Sequence, residues 1–185
     1  MLKFKASPIL ILWLGIGLYI GIAGLTRAKL DDKLQELDQN KAALMKDSIN
    51  ISYGGLDFAN KYEMKYYLEI SNMRKVFPWA ADISGFLSLI LTSMSFGMLG
   101  ALISIIRGML TGTKPLGFRQ ALLTPALGLL VGLVVLGLSY LLPTILVKTN
   151  DEIRPISLMF ISLFAGMYSD KFFEKLESYF EKVFL

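Results

Sequence analysis

Residues 121–147, ALLTPALGLLVGLVVLGLSYLLPTILV, contain no charged residue, and their polar groups are Thr124, Ser139, Tyr140 and Thr144. A soluble core helix of this length would need a polar face, and none recurs here. About 20 apolar residues suffice to cross a hydrocarbon core of roughly 30 Å as a helix. The backbone amides must then be satisfied within the segment, so a helix is predicted despite Pro125 in its first turn and Pro143 near its end. Three further apolar stretches accompany it. Residues 8–26 follow a basic start, Lys3 and Lys5, with Trp13 and Tyr19 as large anchors. That run exceeds a usual signal-peptide core and has no clean small-x-small site, so it is read as an uncleaved anchor. Residues 81–106 open after Pro78-Trp79 and end at Arg107; residues 155–169, beginning PISLMFISLFAGM, are short for a clean crossing.

Between the first two spans the pattern changes. In residues 27–48, Leu30, Leu34, Leu37 and Leu44 recur at helical spacing among Asp, Glu and Lys. This is either a coiled-coil stalk seam or one face packed against the following segment. Gly54-Gly55 in SINISYGG signals a turn. Phe58, Tyr62, Tyr66, Tyr67 and Ile70 then predict an aromatic helical face, which either meets a partner or headgroups or closes a small extramembrane core. Residues 27–78 are thus expected to be an α-helical extramembrane segment. After the fourth span, residues 170–185 place Phe172, Phe173, Leu176, Tyr179, Phe180, Val183 and Phe184 on one face of an amphipathic helix. It either continues the fourth span or bends away near Gly166. The expected fold is all-α and polytopic, with four transmembrane helices.

Small residues recur on two spans. Ser93, Gly97, Gly100, Ala101 and Ser104 on the second, and Gly128 with Gly132 on the third, form faces that let another helix backbone approach closely. These faces exceed what one four-helix bundle needs, so a homo-oligomer is expected. Ser88, Thr92, Ser95 and Ser104 are the alternative, a thin polar lining for a pore. Asp82 at the edge of the second span is either solvated or, if buried, functional.

The chain is 54% hydrophobic and 18% charged over 185 residues, too apolar for a typical soluble domain. It has neither Cys nor His, which removes thiol and imidazole catalysis, disulfides and the common zinc sites. No nucleotide-cradling glycine motif and no intramembrane catalytic constellation appears, so no enzyme, cofactor or metal is expected. The net charge of +4 suits basic membrane flanks, with lipid as a partner, rather than direct nucleic-acid binding. Lys3, Lys5, Arg107, Lys114, Arg119, Lys171, Lys175 and Lys182 fall on one side of a four-span chain. By the positive-inside rule that side is cytoplasmic, both termini are inside, and residues 27–78 are extracytoplasmic.

FGMLGALISIIRGML, TPALGLLVGLVVLGLSYLL and RPISLMFISLFAGMYSDKFFEKLESYFEKVF together resemble a loosely defined group of bacterial inner-membrane proteins across residues 93–185. The shared features here are Arg107, Pro125 with Gly128, Gly166-Met-Tyr168-Ser169-Asp170-Lys171, and Lys175-Leu176 with Phe180. Thr124 stands where that group commonly has Arg, so a charge role at that position does not carry over. The resemblance implies a bacterial inner membrane and no enzyme activity. In size and topology the chain also resembles the small membrane subunits of anti-phage systems such as Kiwa.

Two functions are therefore expected as alternatives. One is a scaffold or sensor coupling the extracytoplasmic segment to a cytoplasmic protein partner at Phe173, Leu176, Tyr179, Phe180 and Phe184. The other is an oligomeric pore that depolarises the membrane. On the C-terminal helix Asp170, Glu174, Glu177 and Glu181 outnumber Lys171, Lys175 and Lys182. That acidic tilt disfavours an anionic leaflet and favours burial of the apolar face against protein.

Overall fold

The computed structural model describes residues 3–46, 51–112, 117–146 and 155–184, with side chains at 8–46, 51–112, 117–140, 156–169, 171–175, 178 and 182. In chain order it has α1 (Lys3–Gln39), α2 (Lys41–Lys46), β1 (Ile51–Tyr53), β2 (Leu56–Phe58), α3 (Lys61–Val76), α4 (Pro78–Asp82), α5 (Gly85–Leu110), α6 (Phe118–Leu146), α7 (Pro155–Met167) and α8 (Ser169–Phe184). The chain is mostly helical. Among the described residues α1 from Pro8, α5, and α6 as far as Tyr140 are long and apolar enough to cross a membrane. These elements form two compact units, residues 23–88 and residues 1–22 with 89–185.

The all-α expectation broadly fits, with one small two-stranded sheet added to the helices within residues 23–88. β1 and β2 pair antiparallel with Ile51 opposite Phe58 and Tyr53 opposite Leu56, leaving Gly54 and Gly55 as a two-residue loop. Both have positive φ, 62° and 81°, the combination that a two-residue hairpin loop following strand twist requires. The glycine pair is the visible signal; three-residue strands are too short to announce themselves by alternation. Phe58 consequently leaves the predicted helical face and sits in β2, its ring 5.4 Å from that of Tyr67. α3 starts behind Asn60, whose side chain accepts from the Glu63 amide at 2.9 Å while Glu63 Oε2 accepts from the Ala59 amide at 3.1 Å. The first bond satisfies a donor that the first helical turn leaves open, and the second ties the residue before the cap to the helix.

The core of this unit is Ala23, Leu30, Met73, Phe77 and Ala80, with Leu34, Ile70 and Trp79 against it. The first two leucines of the repeat are therefore spent within one chain. Arg27 Nη1 donates to the Ala81 carbonyl at 3.0 Å, and its Nε lies 3.2 Å from Asp31 Oδ1. This guanidinium closes an open carbonyl at the end of α4, as basic side chains do at helix C-termini. Asp82 is largely exposed and pairs with Arg74 at 2.6 Å. Ile83 is extended and Ser84 Oγ accepts from the Leu87 amide at 3.2 Å, so the second long helix starts at Gly85 rather than at residue 81 and runs on to Leu110.

In the other unit α5 is central, touching α1 on one side and α6 and α7 on the other. Met98, Leu99 and Leu102 form its buried face, with Leu10, Trp13, Leu129 and Leu163 packed around them. α7 has 13 residues, about 20 Å of helix, short of the roughly 30 Å that a crossing needs. The continuous-helix alternative does not hold. α7 ends at Met167, the Tyr168 amide donates to the Ala165 carbonyl at 3.1 Å, and the Tyr168 carbonyl accepts from Lys171 and Phe172 to start α8. The break thus falls two residues after Gly166.

Candidate functional site

The small residues singled out in the sequence meet at the junction of α5, α6 and α7. A Cβ on Gly97 would fall on the Gly128 carbonyl oxygen and stand 2.7 Å from the Gly132 amide nitrogen. A Cβ on Gly128 would stand 2.7 Å from Ala101 Cβ, and one on Gly132 would strike the Ser93 carbonyl. The two backbones touch here, and only the absence of a side chain permits it. Gly100 faces α7 instead, against the Leu163 carbonyl and 2.8 Å from the Met167 amide nitrogen. Ser104 is half-buried further along α5, outside this junction.

Ser93 is fully buried and 2.8 Å from the Gly132 carbonyl and 2.7 Å from Ser162 Oγ. A hydroxyl has one proton, so Ser93 donates to Gly132 and Ser162 donates to Ser93. One serine thereby joins three helices, and in an apolar bundle it leaves no polar group open. The pore candidates are placed elsewhere. Ser88, Thr92 and Ser95 are buried, and Ser95 Oγ donates to the Gly17 carbonyl on α1 at 2.5 Å.

Sequence reasoning passed over Ser162, Gly17, Gly21 and Gly166 as packing residues. A Cβ on Gly166 would strike the Gly97 carbonyl, and Gly17 and Gly21 receive Met98, Leu99, Ser95 and Phe96 of α5. The four-residue spacing of Gly17 and Gly21 was a usable signal. Nothing in the sequence marks Ser162 beyond its being a polar residue in an apolar run.

No protein-family model, curated protein or solved structure matches the chain.

Of the residues expected to meet a partner, Phe173 is half-buried, its ring edge-on to Phe172 with centroids 5.7 Å apart. Both rings pack against the cluster of Val131, Val135, Leu136 and Leu158. The side chains of Leu176, Tyr179, Phe180 and Phe184 lie outside the described residues, and their backbone is helical within α8.

Residues 23–88 carry a second polar constellation where α1, α2 and α3 meet. A groove of about 410 Å³ has Leu37, Leu44 and Leu68 as its apolar lining, and Lys33 and Glu69 pair across it at 2.9 Å. Beside it the Tyr62 hydroxyl donates to Asp38 Oδ1 at 2.5 Å, and Lys41 Nζ stands 5.1 Å from the Tyr62 ring centre. The Asp38 carboxylate accepting the phenolic proton pushes the Tyr62 pKa up to about 12. Tyr62 remains an uncharged donor at any physiological pH. The groove itself is lined by Lys33, Lys65, Glu36 and Glu69 beside its leucines.

Proposed function

We propose that this chain is a polytopic bacterial inner-membrane scaffold or sensor that couples an extracytoplasmic segment, residues 27–78, to a cytoplasmic partner. The observation that carries this reading is the continuity of α1, a single helix from Lys3 to Gln39 that supplies residues to both compact units. A helix without a break transmits displacement and torque, whereas a flexible linker would absorb them. With α7 taken as the fourth, short membrane segment, both termini lie on the cytoplasmic side. The partner face is the distal part of α8, with Leu176, Tyr179, Phe180 and Phe184, while Phe173 steadies the start of that helix. Bacterial defence is the setting proposed for it, on a likeness in size and topology alone to small membrane subunits of anti-phage systems.

The scaffold assembles as a homo-oligomer. Since Gly97, Gly128 and Gly132 are spent inside one chain, the contacts between protomers fall to outward small residues such as Gly15, where an added Cβ would meet nothing within 4 Å. Cross-linking in gentle detergent tests this, and a strictly monomeric species opposes it.

The partner is tested by pull-down with the full-length chain, with Leu176→Asp/Phe180→Asp, and with a truncation after Met167. A protein captured by the full-length chain and lost from both variants supports the reading. Equal capture by all three refutes it. Liposomes holding the purified chain should stay sealed to ions; steady leakage would favour the pore. The hydroxyls that a pore would need support it little, since Ser95 is engaged with α1 and Ser88 and Thr92 are buried.

A further inference from the structure

The turn at Tyr168 leaves an outward groove of about 790 Å³ between α7 and α8. Ile161, Phe164 and Phe172 form its apolar wall, and Tyr168, Lys171 and Lys175 its polar end. Such a volume lies within the roughly 300–1,000 Å³ of small-ligand sites. Ile161 and Phe164 are each more than half exposed, 52% and 59%, so among the described residues no side chain fills the groove.

Its depth is informative. Met167, at the end of α7, is level with Gly100 of α5, because a Cβ on Gly100 would stand 2.8 Å from the Met167 amide nitrogen. α5 continues seven residues further to Arg107, about 10 Å at 1.5 Å per residue. The two lysines therefore enter beside the apolar length of a spanning helix. Among the described residues neither has a carboxylate within ion-pair distance. An ammonium in that position calls for an anion, or for water drawn in from the interface.

The charges of α8 are also sorted, which its net acidic count conceals. At about 100° per residue, positions 171, 175 and 182 share a stripe about 40° wide, and positions 170, 174, 177 and 181 share another on the opposite flank of the apolar face. The lysine stripe is the one that borders the groove.

We infer that this groove binds an anionic phospholipid of the surrounding bilayer, with Lys171 and Lys175 on the phosphate, the Tyr168 hydroxyl as a further donor, and an acyl chain along Ile161 and Phe164. The inference rests on the membrane reading above. It differs from the partner face, which uses the distal apolar positions of α8. The bound lipid fixes the angle between α7 and α8, so it tunes how α8 is presented.

The test uses the full-length protein in mild detergent, with lipid adducts counted by native mass spectrometry. Phosphatidylglycerol should bind about tenfold more tightly than phosphatidylcholine. Lys171→Gln/Lys175→Gln should weaken phosphatidylglycerol about thirtyfold, which is about 2 kcal/mol at 1.4 kcal/mol per tenfold, and leave phosphatidylcholine unchanged. Lys171→Arg/Lys175→Arg should retain the lipid, and Ile161→Trp, which fills the apolar wall, should weaken both lipids. Equal affinity for the two lipids overturns the site, as does an equal loss in the Gln and Arg pairs. Displacement of phosphatidylglycerol by excess inorganic phosphate overturns the lipid as occupant in favour of a free anion. Alkaline carbonate extraction reads the membrane placement independently. Release of the chain overturns both readings, whereas a retained chain without headgroup selectivity overturns only the lipid site.

Discussion

The Ser93 hydroxyl donates to the carbonyl oxygen of Gly132 at 2.8 Å, across an α5–α6 contact where an added Cβ on Gly132 would strike the carbonyl oxygen of Ser93 itself. The two residues thus hold each other's backbone, one through a hydroxyl and one through the lack of a side chain. Gly132→Val should separate the helices and destabilise the bundle by about 1–3 kcal/mol, the usual range for overpacking. Gly137, five residues on, has nothing within 4 Å of an added Cβ. Gly137→Ala should be neutral or stabilise by about 0.5–1 kcal/mol through helix propensity. Reversible unfolding in mixed detergent and denaturing detergent measures both, and equal effects would argue against the close contact.

Ser162 completes the three-helix junction by donating to Ser93 at 2.7 Å. Hydrogen bonds between membrane helices average about 0.6 kcal/mol by double-mutant cycles. Ser162→Ala should cost about that much, and its coupling to Ser93→Ala should be of the same size. A coupling of zero in the same unfolding assay would dissolve the junction.

The core of residues 23–88 depends on Phe77, which is 8% exposed and sits between Met73 and Ala80. Phe77→Ala should cost about 3–5 kcal/mol, the range for deleting a buried aromatic ring. A core this small loses much of its stability by that change. Protease nicking within residues 23–88, with the long apolar helices left intact, is the expected readout.

High pH should loosen the contact between Tyr62 and Asp38. The phenol is held up to about 12 from an ordinary value of 10.0 because its proton is donated to the Asp38 carboxylate. A raised pKa on this group contributes stability that is whole below pH 10, declines as the pH rises toward 12, and is gone above it. Ultraviolet titration of the phenolates should show a late component in the wild type that Asp38→Asn moves to lower pH, and an unchanged titration would remove the bond.

Much of this protein is determined by its sequence through local rules. The uncharged run that opens at residue 121 predicts a helix, because an apolar surrounding leaves its backbone no other way to satisfy its amides and carbonyls, and α6 follows it to Leu146. Gly54-Gly55 forces a turn through backbone freedom, and Asn60 with Glu63 starts a helix through two side-chain bonds. The small-residue spacing on two helices marks faces of close approach. Tertiary structure decided which partners those faces meet. Spacing alone cannot tell a neighbouring helix from a neighbouring protomer, since a missing Cβ is the same invitation to either. Gly97 received Gly128 and Gly132 on one side and Gly166 on the other only once α7 lay against α5. The strands, too, waited on tertiary structure. Three residues hold a register only when a partner strand and an aromatic neighbour such as Tyr67 hold them there. The same reason governs the C-terminus: α8 carries a basic and an acidic flank in its sequence, and the turn at Tyr168 chose the basic one to border the groove.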